Sequence, residues 1–499
     1  MEHLLEGGAM EQESLEKLKK KIASSFLWNL LEKAGGQGVA LLVQIIMARI
    51  LSPEDFGFMA IMIVFVNVGN VIVQSGLNTA LIQTKKLDEK DPDTAFWMCF
   101  STSLLLYIAL FFLAPNIAEF YQMQKLTEPL RVLCLVLVFN SLYSIQAALV
   151  TRDLAFKRIF IATFTAMVVS GISGVATAIL GGGIWALVVQ QVLYSIIASA
   201  VLTLETKWFP HFRFSPKRAR TLFQFGWKLL VSGLLETLYE SLSDLIVGKL
   251  FSAGSLGFFN QGKKYPQALA YTLDSTIQPI MLSTVSRVQD NLDDVKGLTR
   301  RALKTSTYLI MPIMSYMAVA ANSLVTTILG SQWAPAVPYF QAFCISFMLI
   351  PIHTTNLQAL NGMGRSDLYL KLELIKKSYG IVMILLTALI MQDLFAICVG
   401  YVITGVISTF VNAYPNKRII NYSYREQLVD IGPTVISVAI SSVLGIIVEC
   451  TNLFHDGFLA IVQLAVMAAG YFALSALTKN ESFLFLVKEI GKRVPLDRK

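Results

Sequence analysis

The chain has 499 residues, 55% of them hydrophobic and only 15% charged, with a mean hydropathy of +0.60. Soluble domains carry roughly a quarter charged residues, so one large water-soluble core is excluded. The formal net charge of +8 would suit a nucleic-acid partner, but its distribution along the chain points elsewhere.

Residues 1–22 are charged and mildly amphipathic and read as a tail. The apolar segment behind them is of full spanning length, so no cleaved signal peptide is expected. Windows of about 20 apolar residues, enough to cross ~30 Å of hydrocarbon, recur along almost the whole chain. They fall near 24–48, 58–81, 94–115, 129–151, 159–181, 184–206, 222–247, 258–286, 302–322, 336–359, 372–391, 394–415, 432–450 and 457–477. The expectation is an all-α polytopic membrane protein with about 14 transmembrane helices. The eighth window is the most polar, since it holds Lys263, Lys264 and Asp274.

Lys17, Lys19, Lys20 and Lys21 precede the first span, which places the N-terminus in the cytoplasm. On that topology 33 of the 41 Lys and Arg lie on the cytoplasmic side or at adjoining helix ends. Three (Arg49, Lys125, Lys249) lie on the other side, and five (Lys33, Arg131, Lys228, Lys263, Lys264) lie within spans. Basic loops on the inside are what orients such chains, so both termini are expected to be cytoplasmic. The surplus also attracts anionic membrane lipids. Nucleic acid is not expected as a partner.

The five cysteines (Cys99, Cys134, Cys344, Cys398, Cys450) are odd in number and scattered through the spans. Neither a disulfide framework nor a metal site is expected, and they read as small membrane-buried residues. No linker is long enough for a soluble domain, and no HExxH, GxSxG or P-loop lysine pattern occurs. The triple glycine 181–183 follows no strand, so it reads as a tight turn between spans five and six. No catalytic residue, metal or cofactor is assigned. His353 stands alone in span ten and reads as structural.

One phrase occurs twice. "ARILSPEDFGF" ends the first span, and "GKLFSAGSLGF" follows 200 residues later, with Ser52, Gly57 and Phe58 recurring as Ser252, Gly257 and Phe258. At the same offset span two lies on span eight. Span two carries Asn67, Asn70, Gln74 and Asn78 on one helical face, and span eight carries Gln267, Asp274 and Gln278 at matching places. Val73, off that face, is expected to meet lipid. Further on, "QAALVTRDL" after span four echoes "QALNGMGRSDL" after span ten.

A repeat of six spans returns the chain to the same side. The two copies are then related by a pseudo-two-fold axis along the membrane normal, with a cavity between them. The expected organisation is a tail (1–22), a first lobe (23–206), a basic linker (207–220), a second lobe (221–415), two further helices (432–477) and a C-terminal tail (478–499).

Ionisable groups inside spans cost about 2.5–3.5 kcal/mol each on insertion scales and tend to face protein or water. Here they gather in three spans. Span one offers Lys33, Gln37 and Gln44; span seven offers Lys228 and the acids Glu236, Glu240 and Asp244 at i, i+4 and i+8; span eight adds Lys263, Lys264 and Asp274. Taken singly, each is as readily a helix-packing group. Four stripes at equivalent places of two repeats favour a water-filled cavity instead. Lysines beside amides suit a polar cargo bearing negative charge, such as a sugar attached through a phosphate, because an amide both donates to and accepts from hydroxyls.

"RILSPEDFGFMA", "GLNTALIQ", "DTAFW", "TRDLAFKR", "GGIWALVVQQ" and "GSLGFFNQ" resemble the Wzx-type polysaccharide flippases of the multidrug/oligosaccharidyl-lipid/polysaccharide exporter superfamily. The resemblance spans roughly 24–480. It implies movement of an undecaprenyl-pyrophosphate-linked oligosaccharide from the inner to the outer leaflet of a bacterial cytoplasmic membrane. It also implies alternating access driven by an ion gradient and a groove for the lipid tail formed by the last two helices. Polysaccharide polymerase and other assembly proteins are the protein partners it suggests. On this reading Glu236, Glu240, Asp244 and Asp274 serve ion coupling, while the lysines and amides line the substrate cavity. The alternatives are an ion-coupled multidrug antiporter on the same fold, which the lysines beside the acids disfavour, and a membrane glycosyltransferase or ligase, which the short outer loops disfavour.

Overall fold

The computed structural model describes residues 38–84, 87–451 and 455–493, together with Trp28, Gly35, Gly36 and Leu453. Among them every regular element is helical. Ten helices are long and apolar enough to cross a membrane, and a bent pair makes an eleventh. They divide into two compact units, 1–256 and 257–499.

The first unit holds α1 (Gly38–Ile50), α2 (Pro53–Gln74), α3 (Leu77–Gln83) and α4 (Lys90–Phe120), then α5 (Thr127–Leu133) and α6 (Leu135–Arg152). α7 (Phe156–Ile179), α8 (Ile184–Thr206) and α9 (Pro216–Leu250) complete it. The repeated phrase sets two of its boundaries. Ser52 caps α2, its Oγ accepting from Asp55 N at 3.3 Å while the Asp55 carboxylate accepts from Ser52 N at 3.0 Å. That reciprocal pair satisfies two N–H groups the first turn would otherwise leave bare, and Pro53 at the next position has no N–H to satisfy. Ser252 repeats the cap at the start of α10 (Ala253–Val288), accepting from Ser255 N at 3.1 Å. Both helix starts therefore lie at the same place in the repeat.

α7 and α8 form a close hairpin. Gly181 and Gly183 adopt φ of +80° and +52°, which side-chain-bearing residues resist, so the triple glycine is indeed a tight turn. Ser170, Gly171, Gly174 and Ala178 make the buried face of α7, and a Cβ on Gly174 would stand 3.2 Å from the Ala186 carbonyl oxygen. In lipid, where apolar burial gives little drive, such small-residue contact is what holds helices together.

A polar clasp ties the 207–220 linker to the start of α4. Arg218 pairs with Asp91 at 2.5 Å and with Asp88, Arg213 pairs with Glu89 at 3.1 Å, and the His211 backbone donates to the buried Asp93 at 3.1 Å. The hydrogen bond to Asp91, reinforced by both carboxylates' charge, raises the Arg218 guanidinium's pKa further. The clasp thus keeps its positive partner at any physiological pH.

The second unit continues α10 and adds α11 (Leu292–Val319), which meets α12 (Ala321–Ile328) at a 72° bend. α13 (Val337–Phe347), α14 (Ile350–Gly362), α15 (Ser366–Leu386), α16 (Leu394–Ile419), α17 (Tyr424–Cys450), α18 (Asp456–Leu477) and α19 (Glu481–Arg493) follow. Buried amides knot three of them. The Asn356 and Gln427 side chains exchange hydrogen bonds of 3.0 and 3.1 Å, and Asn416 donates to Asn356 Oδ1 at 2.8 Å. His353 sits beside this knot with Nε2 3.0 Å from the Gly405 carbonyl and 3.1 Å from Thr409 Oγ1, joining α14 to α16. Four of the five cysteines are buried, but Cys450 is exposed because it ends α17 and so escapes the packing of the span.

Two helices at the positions of spans seven and eight are long but too polar to count by apolarity alone: α9, with 35 residues, and α10, with 36. The packing boundary at 256/257 also differs from the 207–220 linker. α9 packs on α2, α3 and α4, and so belongs to the first unit by contact.

Candidate functional site

In the first unit α9 runs antiparallel to α2 at glycine distance. A Cβ on Gly226 would stand 2.2 Å from the Ser75 carbonyl oxygen, one on Gly233 3.1 Å from Val71 Cγ1, and one on Gly248 2.5 Å from Ile61 Cδ1. Those pairings set the height of every polar residue between them. Glu236 and Glu240 fall at the level of Asn70 and Asn67, and Asp244 lies one turn further along α9. Glu236, Glu240 and Asn67 are exposed, while Asp244, Asn70, Gln74 and Asn78 are half-buried. Asn140 donates to Asn70 Oδ1 at 3.0 Å, and Asn78 donates to Gln74 Oε1 at 3.4 Å. Acidic and amide stripes thus run side by side on neighbouring helices. Lys228 is exposed near the start of α9, and Gln44 is half-buried on α1. Lys33 and Gln37 lie outside the described residues.

Val73 does not meet lipid. It is 1% exposed and packs with Leu77, Phe96 and Ile145. α2 is surrounded by α4, α6 and α9, so the side turned from its amide stripe faces protein rather than the bilayer.

In the second unit α10 carries the remaining set. Asp274 is buried and accepts from Gln278 Nε2 at 2.7 Å; its Oδ1 makes no close hydrogen bond among the described residues, although the Thr354 side chain also acts on the carboxylate. A carboxylate in that setting is a natural place for a proton or cation, since an unmet buried acceptor is costly. Lys263 lies 5.9 Å from the Tyr401 ring centroid, close enough for the ring face to attract its charge. Lys264 and Gln278 are exposed, and Gln267 is half-buried. Pro266 and Pro279 interrupt the hydrogen-bond ladder of α10 on either side of Asp274, where helices bend most easily.

Two features escaped the sequence reading. Asp430 at the start of α17 has a side chain only 1% exposed, and it holds Arg300 at 2.6 Å, Lys304 at 3.1 Å and the Tyr422 hydroxyl at 2.7 Å. Its basic partners lie on α11, Arg300 being 130 residues away, and nothing local in "REQLVDIGP" announces them. An apolar cleft of about 650 Å³ between α11, α17, α18 and α19 was legible only as ordinary hydrophobic periodicity.

A multi-pass helical membrane protein with acids and amides kept inside its long helices is the class these observations define. The chain belongs to the polysaccharide biosynthesis protein family, whose pattern it matches over residues 46–338. It is 21% identical over 443 residues to the lipopolysaccharide biosynthesis protein WzxC of Escherichia coli K12, covering 87% of this chain and 89% of that one. It is 21% identical over 346 residues to the succinoglycan biosynthesis transport protein ExoT of Rhizobium meliloti, covering 69% and 70%. Among solved structures, the fold is similar to the lipid II flippase MurJ in an inward closed conformation, with a TM-score of 0.73 at 13% identity, covering 91% of this chain and 99% of that one. An inward-facing multidrug resistance MATE transporter shares the fold more loosely, with a TM-score of 0.54 at 13% identity over 78% and 96% of the two chains.

Proposed function

We propose that the protein moves a lipid-linked oligosaccharide, carried on undecaprenyl pyrophosphate, from the cytoplasmic to the outer leaflet of a bacterial cytoplasmic membrane, for surface polysaccharide assembly. Both termini are cytoplasmic on this reading. Two six-helix lobes alternate in opening, and the chain performs no bond-making step of its own. Family membership and the names of its relatives support the substrate class. The observation that carries the mechanism is α9, which keeps exposed Glu236 and Glu240 level with the amides of α2. Charged side chains at membrane depth favour water-lined cavities over lipid, and amides beside them can hydrogen-bond a sugar in either sense. Lys228, Lys263 and Lys264 would attract the phosphate. Asp274 and the α9 acids would take up and release the coupling ion.

The same fold in a multidrug transporter is the specific reason to keep an antiporter as the second reading. The test is export of lipid-linked sugar in cells lacking the protein. Oligosaccharide stranded on the cytoplasmic leaflet supports the flippase; normal export with altered resistance to cationic drugs supports the antiporter.

A further inference from the structure

We propose that an exposed row of hydroxyls on α10 is the track against which the sugar portion of the cargo lies, on a face of the helix separate from its acid and amide stripe. The identity of the cargo rests on the transport reading; the place rests on α10 alone. Thr272, Ser275, Thr276, Ser283 and Ser286 fall within about 100° of arc at 100° per residue, and all five are exposed. Ala270, Asp274, Met281 and Val285 lie on the opposite side, and all four are buried. The helix therefore turns Asp274 toward its own unit and its hydroxyls away.

A helix face that meets hydrocarbon looks different in this same chain. α4 turns Leu105, Ile108 and Phe112 outward, whereas α10 stands at the place of a span yet is too polar to count as one by apolarity. Polar groups gathered on one side of such a helix face water or protein rather than lipid.

The hydroxyls share one chemical sense. Thr272 donates to the Ala268 carbonyl at 2.7 Å, Ser275 to Thr272 at 2.8 Å, Thr276 to Leu273 at 2.7 Å, Ser283 to Ile280 at 3.1 Å and Ser286 to Ser283 at 3.0 Å. A hydroxyl has one hydrogen and two lone pairs. Each hydrogen is spent inward on the helix, so the row presents acceptors outward. Pro279 adds to it, because it has no N–H to offer the Ser275 carbonyl. Between Lys264 and Arg287 the only charged residue of α10 is Asp274, on the other side. A row of uncharged acceptors suits a ligand rich in donors, which the hydroxyls of a sugar chain are. Phosphate oxygens at neutral pH mostly accept, so the row gives a pyrophosphate no hold and leaves it to the lysines. From Thr272 to Ser286 the row runs ~21 Å at 1.5 Å per residue, room for several pyranose rings end to end. Neutral hydrogen bonds are individually weak, so a chain held this way can still shift along the helix.

Two measurements on the full-length protein test the proposal. In a background without native cysteines, Ser275→Cys and Ser283→Cys should react with a charged, water-soluble maleimide, and Leu105→Cys on α4 should not. Folded protein in which neither α10 cysteine reacts would overturn the proposal, since the face would not meet water. The second measurement is binding, in detergent, of two polyprenyl pyrophosphates that differ only in their sugars, one with free hydroxyls and one fully O-methylated. Methylation removes the hydroxyl donors and leaves the acceptors. The wild type is expected to bind the free-hydroxyl form about tenfold more tightly, since each neutral hydrogen bond is worth about two- to tenfold. Changing Thr272, Ser275, Thr276 and Ser283 together to Ala should cut that preference about fivefold. Alanine is the best helix former, and thermal unfolding confirms that this variant is folded. Ser275→Thr with Ser283→Thr keeps the hydroxyls and should keep the preference. A wild type without the preference, or a folded alanine variant that retains it, would overturn the track. Either result leaves the transport reading standing, because that reading falls only if the intact lipid-linked sugar fails to cross a sealed vesicle.

Discussion

The two copies of the repeated phrase touch each other, and a single methyl group tests that contact. Gly57 of the first copy lies against the backbone of Ala253 in the second. A Cβ on Gly57 would stand 1.8 Å from the Ala253 carbonyl oxygen and 2.6 Å from its carbonyl carbon. Carbon and oxygen settle no closer than ~3.3 Å, so Gly57→Ala must push two helix starts apart by roughly 1.5 Å. Because the obstacle is backbone, no side-chain rotation relieves it. Overpacking of this kind costs about 1–3 kcal/mol, and the upper end applies here. Replacing a helical glycine by alanine returns up to ~1 kcal/mol, leaving a net loss of about 2 kcal/mol.

Gly254→Ala is the matched control. It lies one residue beyond Ala253 in the same first turn of α10, but its added methyl meets nothing nearer than Glu54 Cγ at 3.7 Å. Thermal unfolding of the full-length protein in one detergent, followed by intrinsic fluorescence, should show Gly57→Ala melting several degrees below wild type. Gly254→Ala should match or exceed it. Equal midpoints for the two variants would refute the close approach and, with it, the structural meaning given to the repeat.

Asp430→Asn keeps the shape of the hub and removes its charge. Charge-assisted hydrogen bonds are worth about 1.5–3 kcal/mol each, but Arg300 is half-exposed and Lys304 keeps Glu481, so a net loss of about 2–3 kcal/mol is expected in thermal unfolding. Arg213→Ala removes only an exposed pair with Glu89 and should cost less than ~1 kcal/mol by the same measurement. Changing Lys33, Lys228, Lys263 and Lys264 to Gln, singly and together, should impair polysaccharide export at matched membrane abundance, since a close charge contact at an effective dielectric of about 20 is worth a few kcal/mol. Intact export in the combined variant would end the electrostatic account of cargo attraction. Single cysteines at Glu54 and Asp153, in a background without native cysteines, should differ under an impermeant thiol reagent in intact cells, with only Glu54→Cys labelled.

Much of the fold could be read from residues whose effect is local. The serine of the repeated phrase stands at a break between two spans, where a side-chain cap acts within one turn, so Ser52 and Ser252 marked matching boundaries before any packing was known. The acids of α9 recur every fourth residue and share a face by helix geometry alone. What could not be read depends on who the neighbours are. Val73 looked lipid-facing because the amide stripe seemed to define the protein side of α2, yet the side that carries Val73 packs on protein while Asn67 in the stripe is exposed. Arg300 and Lys304 were counted as topology charges because Asp430 lies far off in sequence, and only the folded chain brings them together. Apolar runs on α11 and α18 show which faces avoid water, but not that they enclose a cleft between them.

The central claim concerns movement of a lipid-linked sugar without chemical change. The direct measurement uses the purified full-length protein in sealed vesicles, with a labelled oligosaccharide on polyprenyl pyrophosphate in one leaflet and an ion gradient imposed. The account predicts protein-dependent arrival of the intact molecule in the other leaflet, lost when Glu236 and Glu240 are both changed to Gln. Labelled lipid that stays in its leaflet in the presence of folded wild-type protein, or that leaves carrying a new glycosidic bond, would contradict it.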